Sequence, residues 1–209
     1  LDTDGTCASI TISSGQTLAV VSNTFSVTGN ATIAGTISLS TGTIDVDGTF
    51  DATGGTITFL GAGNLNLGGA TITSLGTLTN TVGTVTYDRA GDQTIFEDTY
   101  FNLKISGTGI KSITGTTTQL YGAGLLTVES GATLAIGDNE LKRTTAVSNS
   151  AAGSAISGTV TINNGLWTTT FGILQQLTSS GGTITCTGTG TIRHIASTTP
   201  DFGTFTAGN

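Results

Sequence analysis

Short runs in which apolar and polar residues alternate recur along the chain, each opened by a glycine. The unit is Gly-Thr-(Ile/Val/Leu/Phe), often carried one polar–apolar step further, with its glycine at Gly35, Gly42, Gly48, Gly55, Gly63, Gly69, Gly76 and Gly83. These glycines lie six to eight residues apart, and later copies open at Gly131, Gly158, Gly182 and Gly190. A period of two marks a strand with one buried face. In the run from Gly35 to Leu39, Ile37 and Leu39 point inward while Thr36 and Ser38 face water. Strands of about four residues make a poor two-layer sandwich. Wound so that each lies on its equivalent one turn later, they bury a continuous apolar column. Glycine is expected to supply the left-handed or tight backbone at each corner.

Three such strands make a coil of roughly 20 residues, so the pattern predicts an all-β, right-handed parallel β-helix of about ten coils. At ~4.8 Å per inter-strand step the rod would be about 50 Å long. The drifting beat argues against the strict six-residue rhythm of a left-handed hexapeptide helix. An antiparallel sandwich or barrel would space its strands about 8–12 residues apart and join them with hairpin turns. Asn-Gly occurs only at Asn164-Gly165, and Asp-Gly only at Asp4-Gly5 and Asp47-Gly48.

The whole chain, 1–209, reads as one solenoid domain, with regular coils over 8–147 and the cleanest repeat over 8–88. The Gly/Ser-rich stretch 148–158 is expected to bulge as a loop, and 159–209 to hold less regular terminal coils. Within the tail, 166–180 is bulky and is expected to be a strand-like element covering an edge. Tyr87, Phe96, Tyr100 and Phe101 are expected to fill a wider coil. Neither terminus shows a capping helix, which predicts end-to-end pairing with another subunit or with neighbouring repeats of a larger protein.

Composition sharpens the picture. There are 47 threonines and 32 glycines but one proline and no methionine, and only 9% of residues are charged, against roughly 25% in ordinary globular domains. Hydrophobic residues still make up 36%, too many for a disordered tract. Six basic residues against thirteen acidic ones give a net charge of −7. With only Lys142 and Arg143 adjacent, nucleic acid and anionic membranes are not expected partners. No apolar run approaches the ~20 residues of a spanning helix. The opening residues Leu1 to Asp4 lack a basic n-region and an apolar h-region, as in a mature chain or an excised piece.

The segment 83–118 resembles a module of the repeat-rich β-solenoid surface and secreted proteins of Gram-negative bacteria. The residues that carry the resemblance are Gly83 to Tyr87, Gly91, Gln93, Thr94, Tyr100, Asn102, Leu103, Ile105 to Gly107, Gly109, Lys111, Gly115 and Thr117. The opening run Cys7 to Leu18 is similar to the first coil of such proteins. The resemblance implies an exported, extracellular, non-enzymatic body used in adhesion, surface coats or matrix. It transfers no catalytic residue and no cofactor.

Candidate chemistry is sparse. Asp45, Asp47 and Asp51 suggest the start of a calcium loop. However, the twelfth position counted from Asp45 is Thr56, where an EF-hand loop needs a bidentate Glu, so these residues read as a solvated acidic face and no metal site is expected. A polysaccharide lyase or hydrolase would need clustered acids and cations. Arg89 with Asp88 and Asp92, joined by Lys104, Lys111, Glu97 and Asp98, is the only grouping of that kind, and it reads better as exposed charge. His194 is the sole histidine, which leaves no histidine triad or multi-histidine metal site.

Cys7 and Cys186 lie about nine coils apart in this fold, too far for the ~7 Å between Cα atoms that a disulfide allows. Cys186 is expected to be a buried thiol, with a head-to-tail bridge between stacked subunits as the alternative. Pairs of threonines two apart recur at 56/58, 71/73, 77/79, 84/86, 159/161 and 183/185. Their sequence intervals are too uneven for an in-register ice-binding ladder. A binding module for carbohydrate would instead expose Tyr87, Tyr100, Tyr121 and Trp167 in a row.

Overall fold

The computed structural model describes residues 3–79, 81–121, 124–143, 154–170, 177–178, 181–195 and 205–207. Every described strand pairs in parallel with its equivalent one turn away, and no helix occurs among the described residues. The fold is a parallel β-solenoid of about eight turns, with equivalent strands about 21 residues apart. The expected ten coils shrink to eight because later turns are longer than the early repeat suggested. Thr24 stacks on Thr43, a step of 19 residues, but Leu126 stacks on Ser154, a step of 28.

Each coil has three short strands on three faces. One face is a single nine-stranded sheet running the length of the rod, from Gly5–Cys7 through Asn64–Leu67, Thr84–Tyr87 and Ser154–Ile156 to Leu177–Thr178. The other two faces are interrupted. The second face has a four-stranded sheet ending at Ile72–Ser74 and a six-stranded one beginning at Gln93–Ile95. The third face has a four-stranded sheet ending at Thr77–Leu78 and a five-stranded one beginning at Thr99–Tyr100. Between the fourth and fifth coils, therefore, only one strand ladder in three is continuous. We refer to this boundary as the seam.

Alternation decides what is inside. Ile37 and Leu39, Ile44 and Val46, Ile57, and Leu65 and Leu67 are all almost completely buried. Their polar neighbours face out, so strands of four residues read intermediate–buried–intermediate–buried. Burying each Leu or Ile contributes about 1.5–3 kcal/mol.

Gly76, Gly83 and Gly131 take the expected left-handed backbone, but other corner glycines work differently. Gly48 and Gly69 do not have positive φ. What they require is space, because a Cβ on Gly48 would collide with the carbonyl of Gly29 one coil below, and a Cβ on Gly69 with that of Gly48. The second corner repeats this at Gly55 over Ile33 and Gly35.

Three other expectations change. Ser154–Ile156, inside the predicted loop 148–158, is a strand of the continuous sheet in register with Leu126–Val128. Its small residues still alternate, with Ser154 and Ile156 buried, whereas composition had pointed to a loop. Residues 157–158 form the bend that follows it, and 148–153 lie outside the described residues. Within 166–180 the expected strand is present as Leu166–Thr170, but it covers no edge: it is a third-face strand between Glu140–Arg143 and Thr191–Ile195, with Trp167 inside. Residues 171–176 and 179–180 lie outside the described residues. Finally, the coil of Tyr87 and Tyr100 is not wider. Its step from Thr84 to Asn102 is 18 residues, the shortest on the continuous sheet, and large rings fill an interior enclosed by little backbone.

Candidate functional site

Most of the charged and amide side chains singled out from sequence gather at the seam and its neighbouring coil, where they hold backbone to backbone. Gln93 is buried on the first strand past the break. Its Nε2 donates to the carbonyls of Leu67 (2.6 Å) and Gly69 (2.8 Å) in the coil below, and its Oε1 accepts from the Arg89 amide at 3.4 Å.

Tyr87 and Tyr100, both fully buried, close a ring with Phe96. The Phe96 amide donates to the Tyr87 hydroxyl (3.1 Å), the two hydroxyls lie 2.8 Å apart, and the Tyr100 hydroxyl donates to the Phe96 carbonyl at 2.5 Å. Since Tyr100 gives its only proton to Phe96, Tyr87 must donate to Tyr100. Burial first, with Asp98 adding to it, pushes both phenols above the usual tyrosine range.

Lys111 is fully buried. Its ammonium donates to three carbonyls, of Thr108 (2.6 Å), Arg89 (2.9 Å) and Gly91 (3.0 Å). Burial lowers its proton affinity, against which the nearby Asp92 and Asp88 hold it up.

The grouping read from sequence as exposed charge is exposed at Asp92 and Glu97, but Lys111 is buried and Asp88, Arg89, Asp98 and Lys104 are half-buried. Several of these residues make structural contacts. Asp92 Oδ1 accepts from the Ile110 amide at 2.8 Å. Glu97 accepts from the amides of Thr116 and Thr117 (3.2 and 3.1 Å), and Asp98 from that of Thr99 at 2.6 Å. Lys104 pairs with Glu129 at 2.7 Å on the exterior. Asp4, Asn30, Asn102 and Asp138 repeat the same device at other corners, each accepting from an amide one coil on, at Thr24, Thr49, Leu125 and Asn164. Sequence reading missed these contacts because the partners lie 19 to 26 residues apart.

The acidic run does not form a calcium loop. Asp45 faces out from the continuous sheet, Asp47 stands at its corner, and Asp51 has turned onto the next face, where its Oδ1 accepts from the Thr53 amide and hydroxyl (2.9 and 2.7 Å). Among the described residues no group of three His, Cys, Asp or Glu side chains could hold a metal ion. A different acidic neighbourhood appears instead. A side chain on Gly68 would stand 3.3 Å from Asp47 Oδ1 and 3.5 Å from Asp88 Oδ1, so the bare glycine lets carboxylates of the third and fifth coils approach across the fourth. Burial, then Asp45 and Asp47, raises Asp88 to about 6, with Lys111 opposing.

The outward faces hold the main surprise. On the third face Thr17, Thr36, Thr56 and Thr77 stack in one column. Beside it run Ala19, Ser38 and Thr58. On the second face, past the seam, Thr133, Thr159 and Thr183 form one column, and Ala135, Thr161, Thr185 and Thr206 another. The pairs 56/58, 77/79, 159/161 and 183/185 therefore fall in register, whereas 84/86 stacks between Asn64 and Asn66 below and Asn102 and Lys104 above, and 71/73 lies at an irregular strand. Their intervals looked uneven because successive pairs in sequence belong to different faces, and rungs with Ala or Ser at one position escaped notice.

The aromatic row does not exist. Tyr87, Tyr100 and Trp167 are buried and only Tyr121 is exposed. Cys7 and Cys186 are free. Cys186 is buried, and burial raises its thiol. It lies beneath Ala207 on the second face, whereas Cys7 belongs to the continuous sheet. An in-register head-to-tail stack would keep them on different faces. The backbone of His194 lies opposite Thr169 on the third face.

Compared with known proteins, the chain matches no family model, no curated protein and no solved structure. The fold and its surfaces define the class, a threonine-faced parallel β-solenoid.

Proposed function

We propose that this chain is a non-enzymatic structural rod, a segment of an extracellular surface, adhesin or matrix protein that associates with neighbouring repeats or with further copies. The observation that supports it best is the use of the charged residues. Asp92, Gln93, Glu97 and Lys111, the groups nearest to a catalytic cluster, are engaged in hydrogen bonds between coils, and the interior is a stacked, largely apolar column. The extracellular setting rests on the motif over 83–118. Cell fractionation with electron microscopy of the native protein tests the reading: rods recovered from the surface or medium, singly or joined, are expected. Recovery from the cytosol alone would overturn it.

A second reading, a binding face for ice, is favoured by the in-register threonine columns. Hydroxyl and methyl groups repeat about every 4.8 Å along the rod and about 6.7 Å along each strand, without a charge among them. Such a two-dimensional array can hold water in a lattice. It predicts thermal hysteresis that Thr56→Lys, placed mid-column, abolishes without unfolding the chain. Absence of hysteresis in the wild type removes this reading.

A further inference from the structure

The seam differs from every other boundary between described coils in two independent respects. Its strand ladder survives on the continuous sheet, where Asn64–Leu67 pairs with Thr84–Tyr87 residue for residue, and is absent from the other two faces. Its packing also resembles an end of the rod. Apolar residues that pack on the core yet stay partly exposed include Cys7, Ile10 and Leu18 in the first coil, Phe25 in the second and Ile192 near the far end. The others include Ile72, Leu78 and Phe96, which flank the seam. Equivalent inward positions in the second and third coils, such as Ile33 and Ile57, are fully buried.

In place of two ladders, the side-chain bridge described above is the Gln93 amide reaching the carbonyls of Leu67 and Gly69. It stands at the corner beside the continuous sheet. Opening the two interrupted faces would break this bridge and expose a few half-covered side chains, but would leave the nine-stranded ladder whole.

We propose that the seam is a hinge, at which the four N-terminal coils swing relative to the coils beyond about the continuous sheet. A lost hydrogen-bond ladder on two faces lowers the local cost of opening there, while the third face keeps the halves attached. The Tyr87–Tyr100–Phe96 ring and the Lys111 cage lie on the C-terminal side and brace the first coil past the break, so flexing concentrates at one boundary. The motion is set by the strand ladders and holds wherever the rod is displayed.

Hydrogen exchange on the full chain tests the hinge. Amides over 71–79 and 93–101 should exchange roughly tenfold or more faster than those over 31–39 and 109–120 on the same faces. Those over 64–67 and 84–87 should be as slow as 43–46 and 102–105. Gln93→Leu removes the bridging amide and should speed the interrupted faces a further few-fold while leaving the continuous sheet unchanged. Equal protection on all three faces at the seam would overturn the proposal. So would a Gln93→Leu variant that accelerates the continuous sheet as much as the others, since that is general loosening. Should that variant not fold, the wild-type comparison between faces decides alone.

Discussion

The Thr118 hydroxyl is buried with no hydrogen-bond partner, whereas Lys111, Gln93 and Arg143, equally hidden, reach backbone carbonyls. An unpaired buried hydroxyl costs about 1–3 kcal/mol, and valine has nearly the same shape. Thr118→Val is therefore expected to stabilise the chain by about 1 kcal/mol, read as a higher urea midpoint at unchanged slope. Asp88 gives the pH dependence. Its folded carboxyl titrates at about 6, above its ordinary value of 3.8, so the folded state holds a proton that the unfolded chain releases between those values. Ionised Asp88 works against folding at neutral pH, and that penalty fades as pH falls from about 6 towards 4. Asp45 and Asp98, also raised by burial, act in the same direction. Melting temperature should thus rise on mild acidification. Asp88→Asn should flatten part of that rise and stabilise the neutral protein by about 1 kcal/mol, less than full burial would give because the carboxylate is partly exposed. A melting curve that falls monotonically below pH 7 would contradict this.

At the level of the strand and its corner, sequence was informative about what points in and silent about what lies alongside. The alternation around Ile37, Leu39, Ile44 and Val46 is local, so it could be read directly. Gly48, Gly55 and Gly69 could be located but not explained, since their reason is a carbonyl one coil away. Gly48 shows the difference. If it served only to reach an unusual φ, alanine would be tolerated, because Gly48 does not have one. Pressed between the carbonyl below and Gly69 above, Gly48→Ala should cost about 2 kcal/mol or more through overpacking. The control is Gly15→Ala, where φ is +79° and a Cβ meets nothing within 4 Å. Its cost should be that of backbone strain alone, about 1 kcal/mol. Urea denaturation of the two variants separates crowding from conformation. The motif over 83–118 was conspicuous in sequence for a similar reason: Gln93, Tyr87, Tyr100, Asn102 and Lys111 are hydrogen-bonding groups that an ordinary coil does not need.

Over the whole rod, eight steps of ~4.8 Å give a length just under about 40 Å, and the register of its faces was the property hardest to foresee. Stacking depends on each turn's length, and steps of 18 to 28 residues hide an ordered column from any fixed period. The same accounting explains why the ladder break at the seam left no trace in the glycine rhythm, which runs unbroken from Gly69 through Gly76 to Gly83. One further property follows from where the cations sit. Trypsin cuts only after lysine or arginine, and this chain has six such residues. Lys111 and Arg143 are enclosed, Arg89 and Lys104 are half covered, and Lys142 and Arg193 stand open. A folded molecule with so few accessible scissile bonds, most of them within strands, should resist trypsin longer than ordinary proteins do.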